Sequence, residues 1–157
     1  MIVKKNSEDV SLVRIHMCDD DPDDQLLLQE ALSEARLANS IDFTENGEEL
    51  LQYLRREGDY AELKSKSLPG LILLDLNMPK KDGREALAEI KSDPDLRRIP
   101  VVVLTTSRAE EDILKTYDLG VNSFIVKPVT FESLVSAIKA VTNYWFHIVE
   151  LPNIASN

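Results

Sequence analysis

Residues 71–92, LILLDLNMPKKDGREALAEIKS, hold a strand, a turn and a helix start in one short stretch. Four successive apolar residues, Leu71 to Leu74, suit a strand covered on both faces, as strands of parallel sheets are. Asp75 closes the run. After a polar turn, Asp82 stands three residues before Glu85, the spacing of a capping pair that opens a helix. A buried strand that leads through a carboxylate into a capped helix is one βα unit.

The same unit recurs outward in both directions. Further short runs rich in leucine or β-branched residues lie at Leu12 to Cys18, Ile41 to Thr44, Val101 to Leu104 and Ser123 to Val126, separated by helix-sized segments. Parallel neighbours need such crossovers, so the alternation predicts an α/β fold, a (βα)5 doubly wound parallel sheet. Ile41 to Thr44 is the more polar run and is expected at an edge. Asp21 before Pro22, Asn46 with Glu49, and Ser107 with Glu110 mark other helix starts, and Gly120 ends the fourth helix. Residues 57–69 read as a long polar loop, helical in part. The last helix is expected from Thr130 to about Glu150, about 30 Å at 1.5 Å per residue and longer than a strand of five residues. It carries two apolar stripes, Leu134, Ile138, Val141, Trp145, Ile148 and Phe131, Val135, Thr142, Phe146, Val149. An extended C-terminal helix with two such stripes has a second surface to cover.

Composition narrows the function classes. The chain has 157 residues, is 43% hydrophobic and 29% charged, and carries a net charge of −10. One domain able to bury a core is expected, with a short N-terminal arm over 1–10, the domain over 11–149 and a C-terminal tail over 150–157. The acidic balance disfavours a phosphate backbone as partner, so no nucleic acid is expected. The start of the chain lacks the apolar stretch of a signal peptide and no run reaches membrane-span length, which predicts no membrane association and a cytoplasmic location. Cys18, the one cysteine, is expected to act as a small buried hydrophobe.

The residues that follow the strands carry the chemistry. Asp19 and Asp20 follow the first, Asp75 the third, Thr105 the fourth and Lys127 the fifth. Ligands of open parallel sheets bind outside the carboxyl ends of the strands, so these side chains are expected on one rim. Crowded carboxylates repel one another unless a divalent cation neutralises them. Few carboxylates, all offering oxygen, suit Mg2+, which keeps several waters and takes phosphoryl oxygens. A cation, an ammonium and a hydroxyl are what phosphoryl transfer needs, and a carboxylate nucleophile then forms an aspartyl phosphate. Taken singly, each residue has a plainer reading: an acidic helix start, a strand-end hydroxyl, a surface lysine. The set carries the inference. A calcium loop over Asp19 to Glu30 fails because Asp24 stands at its glycine position, and a haloacid-dehalogenase-type phosphatase fails because Asn77 replaces its second acid. His16 and His147 have no partner at metal-ligand spacing and are expected to be packing or surface residues, which makes another molecule the phosphoryl donor.

CDDDP after the first strand, LILLDLNMPKKDG around Asp75, VVVLTTS around Thr105 and VKP at Lys127 together resemble the receiver domain of response regulators, the CheY-like family. The resemblance spans about Leu12 to Val149. It implies a flavodoxin-like, CheY-like sheet of order 2-1-3-4-5. It also implies Asp75 as phosphoacceptor, with Mg2+ held by Asp20, Asp75 and the backbone carbonyl of Asn77, supported through water by Asp19. Thr105 and Lys127 would hold phosphoryl oxygens. Thr105 with Phe124 would form the switch, by shape because phenylalanine has no hydroxyl, and the Lys127–Pro128 bond would be cis. Asn77 and Ser107 would tune hydrolysis.

Within the family, LNMPKKDGREALAEIK, the long loop and NYWFHIVELP are most similar to stand-alone regulators associated with phytochrome kinases. That implies a sensor histidine kinase of the phytochrome type as donor, an unknown downstream protein reached by contact, and a homodimer. The dimer would use the fourth and fifth helices, the fifth strand and the aromatic extension, with Tyr144, Trp145 and Phe146 on a partner surface in preference to their own domain.

Overall fold

The computed structural model describes residues 14–35, 40–78, 80–106, 113, 115, 117–128 and 130–145. In chain order the elements are β1 (Ile15–Cys18), α1 (Pro22–Glu34), β2 (Ile41–Thr44), α2 (Gly47–Arg55), a 3-10 helix (Gly58–Leu63), β3 (Leu71–Leu74), α3 (Gly83–Ser92), β4 (Val101–Thr105), β5 (Ser123–Val126) and a C-terminal helix (Phe131–Asn143). All sheet pairings are parallel, in the order β2-β1-β3-β4-β5. The doubly wound α/β fold is the one expected, and the polar run Ile41–Thr44 is an edge.

The apolar runs are strands because both of their faces are covered. Alternate residues point to opposite sides. Ile15, Met17, Leu71, Leu73, Val102 and Leu104 form a core with α1 and the C-terminal helix, while Cys18, Ile72, Leu74, Val101 and Val103 form another with α2 and α3. A strand with one polar face fits neither sandwich, which leaves the edge for β2.

The capping residues act as their spacing predicts. Asp21 accepts the Asp23 N–H ahead of Pro22, Asn46 accepts the Glu49 N–H, and Asp82 accepts the Glu85 N–H. Gly120 has φ +100, a conformation that glycine adopts without a Cβ penalty. The Ser107 and Glu110 cap lies outside the described residues, as does Ser107 in its hydrolytic role. Part of the long polar loop forms the 3-10 helix, and Tyr60 within it donates to Glu49 at 2.7 Å.

One expectation is corrected. No peptide bond among the described residues is cis, so the Lys127–Pro128 bond is trans, the form that an X–Pro bond intrinsically favours by about 0.5–1 kcal/mol. The α-helix runs to Asn143 and Tyr144 and Trp145 continue it as a π turn, while the expected continuation through Phe146, His147, Ile148 and Val149 to Glu150 lies outside the described residues. Trp145 is partly buried, packed like Leu134 and Val141 against the core on the α1 side of the sheet. Tyr144 is 49% exposed.

Candidate functional site

The sheet ladder runs past the strand ends and sets the site's backbone. The Asp19 N–H donates to the Thr44 carbonyl at 3.0 Å, the Asp75 N–H to the Cys18 carbonyl at 3.0 Å, and the Lys127 N–H to the Thr105 carbonyl at 2.7 Å. Residues remote in sequence therefore leave the sheet at one level. The segment after Asp75 is tied down by Gly83, whose N–H donates to the Leu76 carbonyl at 3.0 Å. A Cβ there would lie 2.2 Å from the Asp75 carbonyl oxygen, so only glycine lets α3 start against the Asp75 backbone.

Asp75 is the centre of the cluster. Thr105 Oγ1 donates to its Oδ1 at 2.8 Å, the Asn77 N–H reaches the same oxygen at 3.3 Å, and Lys127 Nζ stands 3.5 Å from its Oδ2. Lys127 makes shorter contacts with Asp19 Oδ2 at 2.7 Å and Asp24 Oδ2 at 2.6 Å. Asp19 is fully buried and its Oδ1 accepts the Asp21 N–H at 2.9 Å. Burial holds the Asp19 carboxyl above the ordinary carboxylate range, opposed by the bonds from Lys127 and Asp21. Burial works to lower Lys127, but its hydrogen bonds to Asp19 and Asp24 outweigh that and raise it. The lysine is thus firmly cationic.

The carboxylates of Asp19, Asp20 and Asp75 each offer an oxygen, and these lie within 4.8 Å of one another. Ligands of one octahedral ion at about 2.1 Å are about 3.0 Å apart when adjacent and about 4.2 Å when opposite, so the three oxygens draw closer by up to about 1–2 Å where they share an ion directly. Oxygen donors with an exposed Asp20 on one side suit a hard divalent cation that retains water. Beside it opens a cleft of about 350 Å³, lined by Asp20, Leu76, Asn77, Met78, Asp82 and Arg84.

The structure brings together Asp19, Asp20, Asp75, Thr105 and Lys127, with Asn77 at the edge of the cleft. Phe124 stands apart from the cluster on β5, partly buried against the core on the α2 and α3 side, and its N–H donates to the Tyr117 hydroxyl at 3.2 Å. Asp24 escaped sequence reasoning as a partner of Lys127, because within an acidic run nothing distinguishes it. A place in the first turn of α1, beside the rim, was the available signal. A second network was also missed. His16 Nδ1 lies 2.7 Å from Asp42 Oδ1 and its Nε2 2.9 Å from Thr44 Oγ1, with the ring stacked on Tyr53. It is a packing residue, as expected, but a hydrogen-bonded one. Cys18 is buried and its thiol is raised to about 12, mainly by burial.

Known proteins resemble the chain in sequence and fold. The model of the response regulator receiver domain matches residues 15–139. Response regulator Rcp1 of Synechocystis sp. is 41% identical over 138 residues, covering 88% of this chain and 92% of that protein. The crystal structure of the phosphorylated cyanobacterial phytochrome response regulator RcpA is 47% identical with a TM-score of 0.83, covering 90% of this chain and 99% of that one. The Mn2+-bound form of Rcp1 is 39% identical with a TM-score of 0.79, covering 88% and 99%. With its parallel sheet in the order 2-1-3-4-5 and its acidic rim, the chain belongs to the response-regulator receiver family of two-component signalling, related to the phytochrome response regulators.

Proposed function

We propose that this receiver takes a phosphoryl group onto Asp75 from a phosphohistidine of a sensor histidine kinase of the phytochrome type, with Mg2+ as the cofactor. The observation that carries the reading is the convergence of Thr105 Oγ1, Lys127 Nζ and two further carboxylates on the Asp75 side chain. A carboxylate oxygen of Asp75 forms the new O–P bond while the P–N bond of the donor breaks. The electron pair of that bond stays with the imidazole, which leaves neutral once its other nitrogen carries a proton. Lys127 and the Thr105 hydroxyl meet the phosphoryl oxygens. Asp19, Asp20, Asp75 and the Asn77 carbonyl would hold Mg2+, which supplies positive charge against carboxylate and phosphoryl oxygens. The chain is a signalling protein that promotes only its own phosphorylation and dephosphorylation.

The signal then passes through Thr105 and Phe124 to a downstream protein by contact, from a cytoplasmic location. Among the described residues no helix is long and apolar enough to cross a membrane. A homodimer built on β5, its flanking helices and the C-terminal extension fits the same reading. Among the described residues, Tyr117 at 50%, Tyr144 at 49% and Phe131 at 37% exposure offer aromatic surface there.

Incubation with acetyl phosphate and Mg2+, followed by intact mass, tests the phosphoacceptor. One phosphoryl group is expected on the wild-type chain and none on Asp75→Asn. Uptake that persists in Asp75→Asn sinks the assignment.

A further inference from the structure

We propose that Asp24 is a positioning residue for the phosphoryl transfer: its carboxylate tethers the Lys127 ammonium on the α1 side of the pocket and so favours the unphosphorylated state. The inference rests on the reading of Asp75 as phosphoacceptor. Lys127 Nζ lies 2.6 Å from Asp24 Oδ2, 2.7 Å from Asp19 Oδ2 and 3.5 Å from Asp75 Oδ2. An ammonium has three N–H donors. Two are committed to short contacts, and the long contact is the one to the residue that reacts.

The two short contacts differ in kind. Asp19 is fully buried and is bonded by the Asp21 N–H, so it belongs to the floor of the pocket. The Asp24 side chain is 30% exposed and stands in the first turn of α1. With Lys127, Pro128, Leu27 and Leu134 it lines a small recess outside the cluster. Asp24 and Asp75 therefore hold the ammonium from different elements, the start of a helix and the end of a strand.

A phosphoryl group on Asp75 adds negative charge and acceptor oxygens where Lys127 has its weakest contact. Closing on it draws Nζ toward β3 and lengthens the 2.6 Å pair with Asp24. Whatever that pair contributes is subtracted from the phosphorylated state. For a partly exposed ion pair the effect is up to about fivefold on the equilibrium between the two forms.

Wild type, Asp24→Asn, Asp24→Ser and Asp24→Glu are each brought to steady state with acetyl phosphate and Mg2+ at fixed donor concentration. Intact mass gives the ratio of phosphorylated to unphosphorylated chain, and thermal melting reports the fold. Asp24→Asn and Asp24→Ser are expected to raise the ratio about twofold to fivefold, whereas Asp24→Glu, which restores the charge, stays near wild type. A ratio unchanged or lowered in both neutral variants overturns the tether while leaving Asp75 as phosphoacceptor. A rise that Asp24→Glu shares equally also overturns it, since packing and not charge would then be responsible. A wild-type chain that takes up no phosphoryl group overturns both readings.

Discussion

Thr105 Oγ1 donates a 2.8 Å hydrogen bond to Asp75 Oδ1 across an interval of 30 residues. The two oxygens of Asp75 are thereby made unequal: Oδ1 accepts this hydroxyl and the Asn77 N–H, while Oδ2 has the 3.5 Å contact with Lys127. On the proposed reading, the hydroxyl would turn from the carboxylate to a phosphoryl oxygen once Asp75 is modified.

Thr105→Val nearly keeps the side chain's shape at a fully buried position and removes the hydroxyl that donates to Asp75. Phosphorylation by acetyl phosphate is expected to slow by about tenfold to a hundredfold, a moderate loss for one oriented donor. Thr105→Ser should stay within a few-fold of wild type. The rate of mass gain measures both, and a Val variant as fast as wild type removes Thr105 from the transfer.

Metal binding has a readout independent of phosphorylation. Mg2+ at a hundred times its Kd should stabilise the folded chain by about 2.7 kcal/mol and raise its melting temperature. Asp20 is exposed, so Asp20→Asn should melt normally without metal yet show little of the Mg2+ shift. An undiminished shift in that variant moves the ion elsewhere.

The His16 network predicts acid sensitivity. A carboxylate can only accept, so the neutral ring carries its proton on Nδ1 toward Asp42, and Nε2 accepts the Thr44 hydroxyl. Burial lowers His16 from its ordinary 6.5, against the bond and charge of Asp42. The unfolded chain therefore binds this proton first as pH falls. Stability is complete above 6.5 and is lost below it, by up to about 1.4 kcal/mol per pH unit. Burial alone would raise Asp42, but His16, Tyr53 and Arg14 outweigh it and hold the carboxyl at about 2, so its contribution is lost only as pH falls below 3.8. Urea midpoints at pH 7.5, 6.5 and 5.5 test this. Wild type should lose stability toward pH 5.5 and His16→Gln should lose less, and equal slopes contradict it.

The dimer is tested at Tyr144, which is 49% exposed and whose ring meets that of the partly buried Trp145 edge-on at 5.2 Å, so Tyr144→Asp is read together with its thermal melting. Light scattering is expected to show a dimer for wild type and a shift toward monomer for the variant. A mass that does not change clears Tyr144 from the interface.

Much of this was written in local pattern. Leu71 to Leu74 and Val101 to Val103 are apolar without interruption, which only a doubly covered strand explains, and the caps Asn46 and Asp82 lie three residues before the N–H groups they accept. Asp19, Asp75, Thr105 and Lys127 were legible because each stands at a strand end, where a parallel sheet collects its chemistry. Other pairings were not. His16 meets Asp42 through the register of β1 on β2, which the edge strand's short polar run does not specify.

The order of apolar runs, caps and acids therefore decided the fold class and which residues reach the rim, since covalent spacing alone places a residue at the end of its strand. Only the packed structure decided that Asp24 shares Lys127 with Asp19, that Trp145 packs partly buried against the core, and that His16 is bonded on both ring nitrogens. Those outcomes depend on distances of a few ångströms between elements, and helix placement and strand register, not chain spacing, set such distances.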